Sequence, residues 1–240
     1  MKIFLLKEDQ VKEIQKINGI SENVDFEAFK VKDTVNPIVF DESGLMRPAI
    51  RKSLIQTAKD YYEYLEIEGV KIIDIILAGS MANYNWSDYS DVDVHLLIKF
   101  SDIGEDEEIL DNMMWALKEK WNLDHDIKIK QYKVEMYTQN LEADDLESNG
   151  IYSIVKNKWL RKPKKQKISI DQGEIQKIVD EYESRLTDLL IRAKKGGQCD
   201  GLVEDFDELI EDFFDMRKEA LKSGGEFFHF KGFYNIAEFD

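Results

Sequence analysis

Two short apolar runs with a polar loop between them constrain the fold of this 240-residue chain more than any other feature. The first run, residues 70–78, is rich in isoleucine and lies between Gly69 and Gly79. The second run, residues 91–100, is apolar over most of its length. Short apolar runs bounded by turn residues are typical of buried strands. We therefore predict two strands, joined by the polar and aromatic loop at residues 80–90.

The flanking segments predict helices and a third strand. Apolar residues recur every three or four positions over 48–66 and again over 106–121, which is helical spacing. Residues 127–137 alternate between apolar and polar, which favours one more strand. The order helix, strand, loop, strand, helix, strand predicts an α+β fold in which helices pack on a small mixed β-sheet.

The last third of the chain has a different composition. Seven basic residues fall within positions 156–167, and helical spacing returns over 174–195 and 202–222. We expect residues 1–167 to form the sheet domain with an N-terminal extension. We expect residues 168–240 to form a C-terminal helical hairpin with an aromatic tail. Within the extension, residues 35–40 are expected to be extended and to end in a turn at 41–44.

Charge and cysteine content restrict the possible partners. The formal net charge is −16, from 33 Lys and Arg against 49 Asp and Glu, which makes long nucleic acid an improbable partner. A single cysteine, Cys199, excludes an intramolecular disulfide. The apolar run at the N-terminus is too short for a signal segment or a membrane span. We therefore expect a cytoplasmic protein without a membrane partner.

The residues with the clearest chemical meaning flank the predicted loop. Strand alternation places Asp91 and Asp93 on one face, where two carboxylates repel each other unless a cation lies between them. Mg²⁺ typically binds one or two protein carboxylates together with substrate phosphates. Gly79 allows close backbone approach and Ser80 offers a hydroxyl to a phosphate. Glu135 adds a third carboxylate, as a metal ligand or a general base, if its strand lies beside residues 91–100.

Gly-Ser, ten residues and then Asp-x-Asp resembles the signature of the polymerase-beta-like nucleotidyltransferase superfamily. Over residues 35–165 the chain looks like the uncharacterised nucleotidyltransferases of tailed phages, although alanine precedes Gly79 where that group often has threonine. The resemblance implies transfer of a nucleoside monophosphate from an NTP such as ATP to a hydroxyl, with two Mg²⁺ ions (or Mn²⁺) and release of pyrophosphate. It implies that Asp91 and Asp93 bind both metals, that Glu135 is third ligand or base, and that Ser80 contacts the triphosphate. A phage protein of this kind acts in the host cytoplasm.

Several assignments stay open at this stage. Lys158 and Arg161, in the basic run, are candidate triphosphate contacts or members of a solvated face. For Arg47 and Arg51 two roles are open: either they face the candidate site, or they form ion pairs with acidic residues on the surface. The acceptor is a small molecule, a protein side chain or an RNA end. The alternative to an enzyme is a nucleotide-binding sensor or scaffold that has the same fold but no turnover. The three histidines, His95, His125 and His229, are expected to be structural. The loop residues Asn83, Tyr84, Asn85 and Trp86 are expected either to form the loop or to line the pocket.

Overall fold

The structure is a computed structural model that describes residues 26, 30–142, 148–165, 171–194 and 201–224. The chain divides into two compact units, of which one is Lys30–Lys167 and the other contains both C-terminal helices. The domains at 1–167 and 168–240 stay predictions, because nearly all of residues 1–29 lie outside the described residues. Cys199, His229 and the aromatic tail lie outside them as well.

A six-stranded mixed sheet forms the centre of the first unit, in the order β3-β4-β2-β1-β5-β6. β1 is antiparallel to both β2 and β5, β2 is parallel to β4, and the remaining pairs are antiparallel. The predicted α+β fold with a mixed sheet is therefore confirmed. The strands are β1 (Asp74–Leu77), β2 (Val92–Ile98), β3 (Lys128–Ile129), β4 (Tyr132–Asn140), β5 (Ile151–Ser153) and β6 (Lys158–Arg161).

Two helices accompany the sheet within this unit: α1 (Pro48–Tyr64) and α2 (Glu107–Asp124). Pro48 begins α1, where its missing N–H and fixed φ cost nothing. The Asp106 carboxylate caps α2 by accepting a hydrogen bond from the Ile109 amide at 3.1 Å. The buried stripe of α1 packs with alternate residues of β2 and β4 in one apolar core, so these strands show a polar face on the other side.

Helix α2 also protects the edge of β4. The Asn122 side chain donates a hydrogen bond to the Met136 carbonyl at 3.1 Å and accepts one from the Met136 amide at 3.0 Å. The Asn122 side-chain amide therefore makes the two hydrogen bonds that a neighbouring strand would otherwise make with Met136. Because α2 connects β2 to β4, it also supplies the crossover that two parallel strands require.

The local structure differs from the expectations in four places. Residues 127–137 are a hairpin and not one strand, because Lys130 takes a positive φ of 58° and reverses the chain between β3 and β4. Strands β5 and β6 were not predicted, since they are short and β6 is mostly exposed. The turn at 41–44 is present, but residues 37–39 form a second turn and are not extended. The first strand is shorter than predicted and begins at Asp74.

The C-terminal unit contains the predicted pair of helices, α3 (Gln172–Lys194) and α4 (Leu202–Gly224). Arg185 pairs with Asp212 at 2.8 Å and Arg192 pairs with Asp205 at 2.6 Å. The second pair lies seven residues later on α3 and seven residues earlier on α4, so the helices are antiparallel. The buried leucines of their interface are Leu186, Leu189 and Leu209.

Candidate functional site

The candidate site begins where Gly79 meets Asp93. The Ala78 amide donates a hydrogen bond to the Asp93 carbonyl at 3.1 Å, which holds the end of β1 against β2. Gly79 has φ 63° and ψ −160°, a conformation that essentially only glycine adopts. A Cβ atom built on Gly79 would lie 2.0 Å from Asp93 Oδ2. The Asp93 carboxylate therefore occupies the space in which any other residue at position 79 would place its side chain.

Glu135 lies directly opposite Asp93 in the parallel ladder between β2 and β4. Neighbouring strands are ~4.8 Å apart and directly paired residues project from the same face, so the two acidic residues are neighbours. The condition set for Glu135, that its strand lies beside the strand carrying Asp93, is met. The Tyr137 hydroxyl donates a hydrogen bond to Glu135 Oε2 at 2.7 Å, and Lys133 Nζ lies 3.7 Å from Oε1.

Whether these carboxylates suit a divalent cation depends on how many carboxylate ligands the ion requires. Asp93 and Glu135 on paired positions, with Asp91 just before β2, provide the one or two carboxylates that Mg²⁺ usually takes from a protein. Within the described residues, however, no group of three or more His, Cys, Asp and Glu side chains is arranged to hold a metal ion. Asp93 and Glu135 therefore supply the number of carboxylates that a single Mg²⁺ commonly takes from a protein. The three-carboxylate, two-metal arrangement stays a prediction.

Ser80 opens a short 3₁₀ turn, Ser80–Ala82, directly after Gly79. Its side chain is buried, and its hydroxyl donates a hydrogen bond to Ser90 Oγ at 3.0 Å. Ser90 Oγ also accepts the Ser87 amide at 2.9 Å, so the hydroxyls tie together the two ends of the loop. The predicted phosphate contact of the Ser80 hydroxyl stays a prediction, and this hydrogen bond would have to be exchanged for it. Sequence reasoning missed Ser90, whose only signal is its position next to Asp91.

The loop between Gly79-Ser80 and Asp91-x-Asp93, the two halves of the motif, is held mainly by local contacts. The Asn83 side chain donates to the Gly79 carbonyl at 2.8 Å, which closes the turn. Trp86 Nε1 donates to the Thr34 carbonyl at 2.8 Å. The ammonium of Lys165 lies 5.3 Å from the centre of the Tyr84 ring. These contacts favour the loop-forming role over direct participation in a pocket.

Lys158 and Arg161 lie on β6, which is separated from β2 by β1 and β5. Ile151 pairs with Arg161 and Tyr152 with Trp159, so one extra residue forms a β-bulge. This bulge puts Lys158 and Arg161 on the same face of the sheet as Asp93, although residues three apart on a regular strand face opposite sides. Three strand spacings, about 14 Å, separate their strand from β2. Lys158 and Arg161 therefore do not lie on a strand adjacent to the one that carries Asp93.

Arg161 instead braces the segment that packs against the Gly79 turn. Its Nη1 donates to the Ser148 carbonyl at 2.7 Å, and the Ser148 hydroxyl donates to the Gly150 carbonyl, also at 2.7 Å. A Cβ atom on Gly150 would lie 2.0 Å from the Ala82 carbonyl oxygen. Gly150 is therefore a second glycine on which the shape of the turn depends, and sequence reasoning did not single it out.

Other charged candidates have structural partners away from Asp93. Arg47 donates through Nε to the Pro37 carbonyl, and Arg51 donates to two carbonyls of the β5–β6 turn. Within the described residues neither arginine forms an ion pair, although the charge of Arg47 is one of the causes that lower the pKa of the exposed Asp41 carboxyl, after its hydrogen bonds to Ser43 and Leu45. Lys156, from the basic run, forms an ion pair at 2.8 Å with Asp74, which is 3% exposed.

His95 fits the structural role expected of it. Its Nδ1 lies 2.8 Å from Gln139 Oε1, and its ring stacks on Tyr137 at a centroid distance of 4.8 Å. Burial is the main cause that lowers its pKa from 6.5 to about 4, and the positive charge of Lys118 lowers it further. The hydrogen bond to Gln139 acts in the opposite direction. His95 is therefore neutral at pH 7.

Comparison of the chain with protein-family models, with characterised proteins and with solved structures gives no match. Among the helices that the structure describes, none has the length and apolar character needed to cross a membrane. The functional argument therefore rests on the motif and on the geometry around it.

Proposed function

We propose that the protein is a metal-dependent nucleotidyltransferase of the polymerase-beta-like type. The observation that carries the proposal is the contact between the two motif halves, in which the Asp93 carboxylate fills the space beside Gly79 and Glu135 is the register partner of Asp93. The proposal accounts for a carboxylate packed against a glycine turn and for a second carboxylate beside it. Carboxylates on paired strand positions repel each other when both are ionised, and a bound cation would reduce that repulsion.

The donor half of the reaction is assigned to the Gly79 turn and the carboxylates. An NTP would bind with its triphosphate along Gly79 and Ser80 and its α-phosphate near Asp91 and Asp93. Divalent ions held by these carboxylates would neutralise the charge that develops on the phosphate oxygens. Within the described residues, the Ser80 and Met81 amides at the start of the 3₁₀ turn have no hydrogen-bond acceptor, so they are available to phosphate oxygens.

Transfer follows when an acceptor hydroxyl is held in line with the α-phosphate. The hydroxyl oxygen forms a bond to the α-phosphorus, and the bond from that phosphorus to the bridging oxygen breaks, which releases pyrophosphate. The hydroxyl proton would pass to Glu135, the register partner of Asp93, as the general base. Because the Tyr137 hydroxyl already donates to Glu135 Oε2, the other carboxylate oxygen is the one assigned to the proton.

A nucleotide-binding protein without turnover is the second candidate, and two observations favour it. Glu135 is engaged by Tyr137 and lies near Lys133, and the Ser80 hydroxyl is bonded inside the loop. An NTP sensor needs only the turn and the Asp93 carboxylate, whereas an enzyme must release at least the Ser80 contact.

The test is label transfer from each of the four α-labelled NTPs, with Mg²⁺ or Mn²⁺ and with or without host extract as the source of acceptor. The enzyme proposal predicts labelled acceptor and release of pyrophosphate, both reduced at least a hundredfold by Asp93→Asn. Asp102→Asn is the matched control, because it removes the same charge from an exposed turn at the far end of β2. Stoichiometric NTP binding without transfer supports the sensor. Equal transfer by Asp93→Asn and the native protein refutes the site.

A further inference from the structure

A groove beside helix α1 has the opposite charge to the rest of the chain. It has a volume of about 350 Å³, within the usual range for small-molecule sites. Arg51, Lys52 and Lys59 line it together with Gln56, and no carboxylate does. We call it the α1 groove. Three cations without an acid are unexpected on a chain whose formal net charge is −16.

Two of the basic side chains that line the groove, Lys52 and Lys59, share one stripe of helix α1. Lys52, Gln56 and Lys59 follow helical spacing, so they project from the same side of α1. Within the part of the chain that the structure describes, neither Lys52 nor Lys59 forms an ion pair. Gln56 Nε2 donates to Asp60 Oδ1 at 2.8 Å, and Asp60 does not line the groove. Both ammonium groups are therefore available to an anion.

Arg51 gives the α1 groove a rigid cationic end. Its Nε donates to the Ile154 carbonyl and its Nη2 to the Val155 carbonyl, each at 2.6 Å. These two bonds fix the plane of the guanidinium and leave Nη1 for a further acceptor. The first turn of α1 carries no acidic residue and no side-chain cap, so the helix dipole adds positive potential at the same end.

The α1 groove lies far from Asp93 within the same unit. One of its walls is Asn157, in the turn that follows β5. The Ile154 amide, at the start of that turn, donates to the Ile75 carbonyl near the beginning of β1. Gly79 follows the opposite end of β1, so a ligand in the α1 groove and a nucleotide at Asp93 would occupy opposite ends of the sheet.

We propose that the α1 groove is a separate binding site for a small organic phosphate. The ammonium groups and the guanidinium would bind the phosphate, and the apolar walls at Met46 and Ile55 would contact the remainder of the ligand. A polynucleotide is disfavoured, because the surrounding charge repels a long polyanion and the groove accommodates only a short one.

Isothermal titration calorimetry with AMP tests the proposal, with adenosine and inorganic phosphate as comparison ligands. EDTA is included, so that no metal-dependent binding at Asp93 contributes. We expect one AMP per chain, weaker binding of inorganic phosphate, no binding of adenosine and a decrease in affinity as salt is raised. The double variant Lys52→Ala/Lys59→Ala should bind AMP at least tenfold more weakly than the native protein.

Two controls separate this site from the proposed active site. Lys71→Ala/Lys128→Ala removes the same charge from exposed positions outside the α1 groove and should leave AMP affinity unchanged. Asp93→Asn should also leave it unchanged. The proposal is overturned if neither AMP nor phosphate binds the native protein, or if the Lys52/Lys59 variant retains native affinity. Failure of label transfer leaves this result intact, so the two proposals can fail independently.

Discussion

Replacement of Gly79 by alanine tests the central feature of the site, the contact between the glycine turn and Asp93. Two costs add in the variant. A residue with a Cβ at φ 63° and ψ −160° is strained by about 1–3 kcal/mol. The new methyl group would also lie 2.0 Å from Asp93 Oδ2, and an overpacked contact of this kind costs about 1–3 kcal/mol. We therefore expect Gly79→Ala to lower the free energy of unfolding by about 4 kcal/mol.

The two costs can be measured separately. Gly69 has a positive φ of 80° and no heavy atom within 4 Å of a built Cβ, so Gly69→Ala reports strain with no clash. In an Asp93→Ala background the atom nearest to the new methyl group is the Cβ at position 93, at 3.5 Å, which is an ordinary contact. Gly79→Ala should then cost about 2 kcal/mol less than in the native background, and this difference is the coupling energy of the pair.

Urea unfolding followed by tryptophan fluorescence is the assay. All four tryptophans lie within Lys30–Lys167, so the signal reports this unit without the C-terminal helices. With a urea m-value of about 2 kcal/mol/M, Gly79→Ala should move the midpoint down by about 2 M, and Gly69→Ala by about half as much or less. An equal cost of Gly79→Ala in both backgrounds would mean that the Asp93 carboxylate does not fill the space beside Gly79.

Three further predictions concern stability of the same unit and use the same assay. The pKa of His95 is about 4 in the folded chain and about 6.5 in the unfolded chain, so between these pH values only the unfolded state is protonated at His95. The free energy of unfolding should therefore fall by up to about 3 kcal/mol as the pH drops from 6.5 to 4. In the His95→Gln variant this part of the pH dependence should be flatter. Lys156→Met leaves Asp74 buried without its ammonium and should cost about 2 kcal/mol, most of which Asp74→Asn in the same chain should restore. Asn122→Ala removes both hydrogen bonds to the β4 edge and should lower the free energy of unfolding by about 2 kcal/mol. The control Asn112→Ala, on the exposed side of the same helix, should lower it by less than about 0.5 kcal/mol. Equal losses in the two variants would contradict the role of Asn122 at the β4 edge.

The parts of the fold that local patterns specify were predictable, and those that depend on distant partners were not. Helical spacing identified the four α-helices of the described residues, because each has one apolar stripe that repeats every three or four residues. The alternation over 127–137 could not reveal the turn at Lys130, which carries no glycine, asparagine or proline signal. β6 alternates weakly, since Trp159 packs on Phe40 while Lys158, the apolar Leu160 and Arg161 are all exposed. Its bulge follows from pairing with β5 and has no local signature.

The candidate site shows the same division. Asp91, Asp93, Gly79 and Ser80 stood out because they lie within one short segment, and Glu135 followed from strand alternation once its strand was assumed to be a neighbour. What positions them comes from further along the chain. Gly150 fits beneath the turn, and Arg161 holds the segment that carries Gly150 through a bond to a backbone carbonyl, which no pattern of side chains could indicate.

The environment of Glu135 separates the two functional proposals on physical grounds. In the described conformation, its charge is balanced on one side by Lys133 and stabilised on the other by the Tyr137 hydroxyl. Each contact lies at one of the two carboxylate oxygens, so an acceptor hydroxyl meets a side chain already present at either oxygen. A general base at this position therefore needs an acceptor that displaces Lys133 or Tyr137 when it binds. An enzyme built on this site should transfer its nucleotide slowly to water and much faster to its own acceptor, because only the acceptor frees the base.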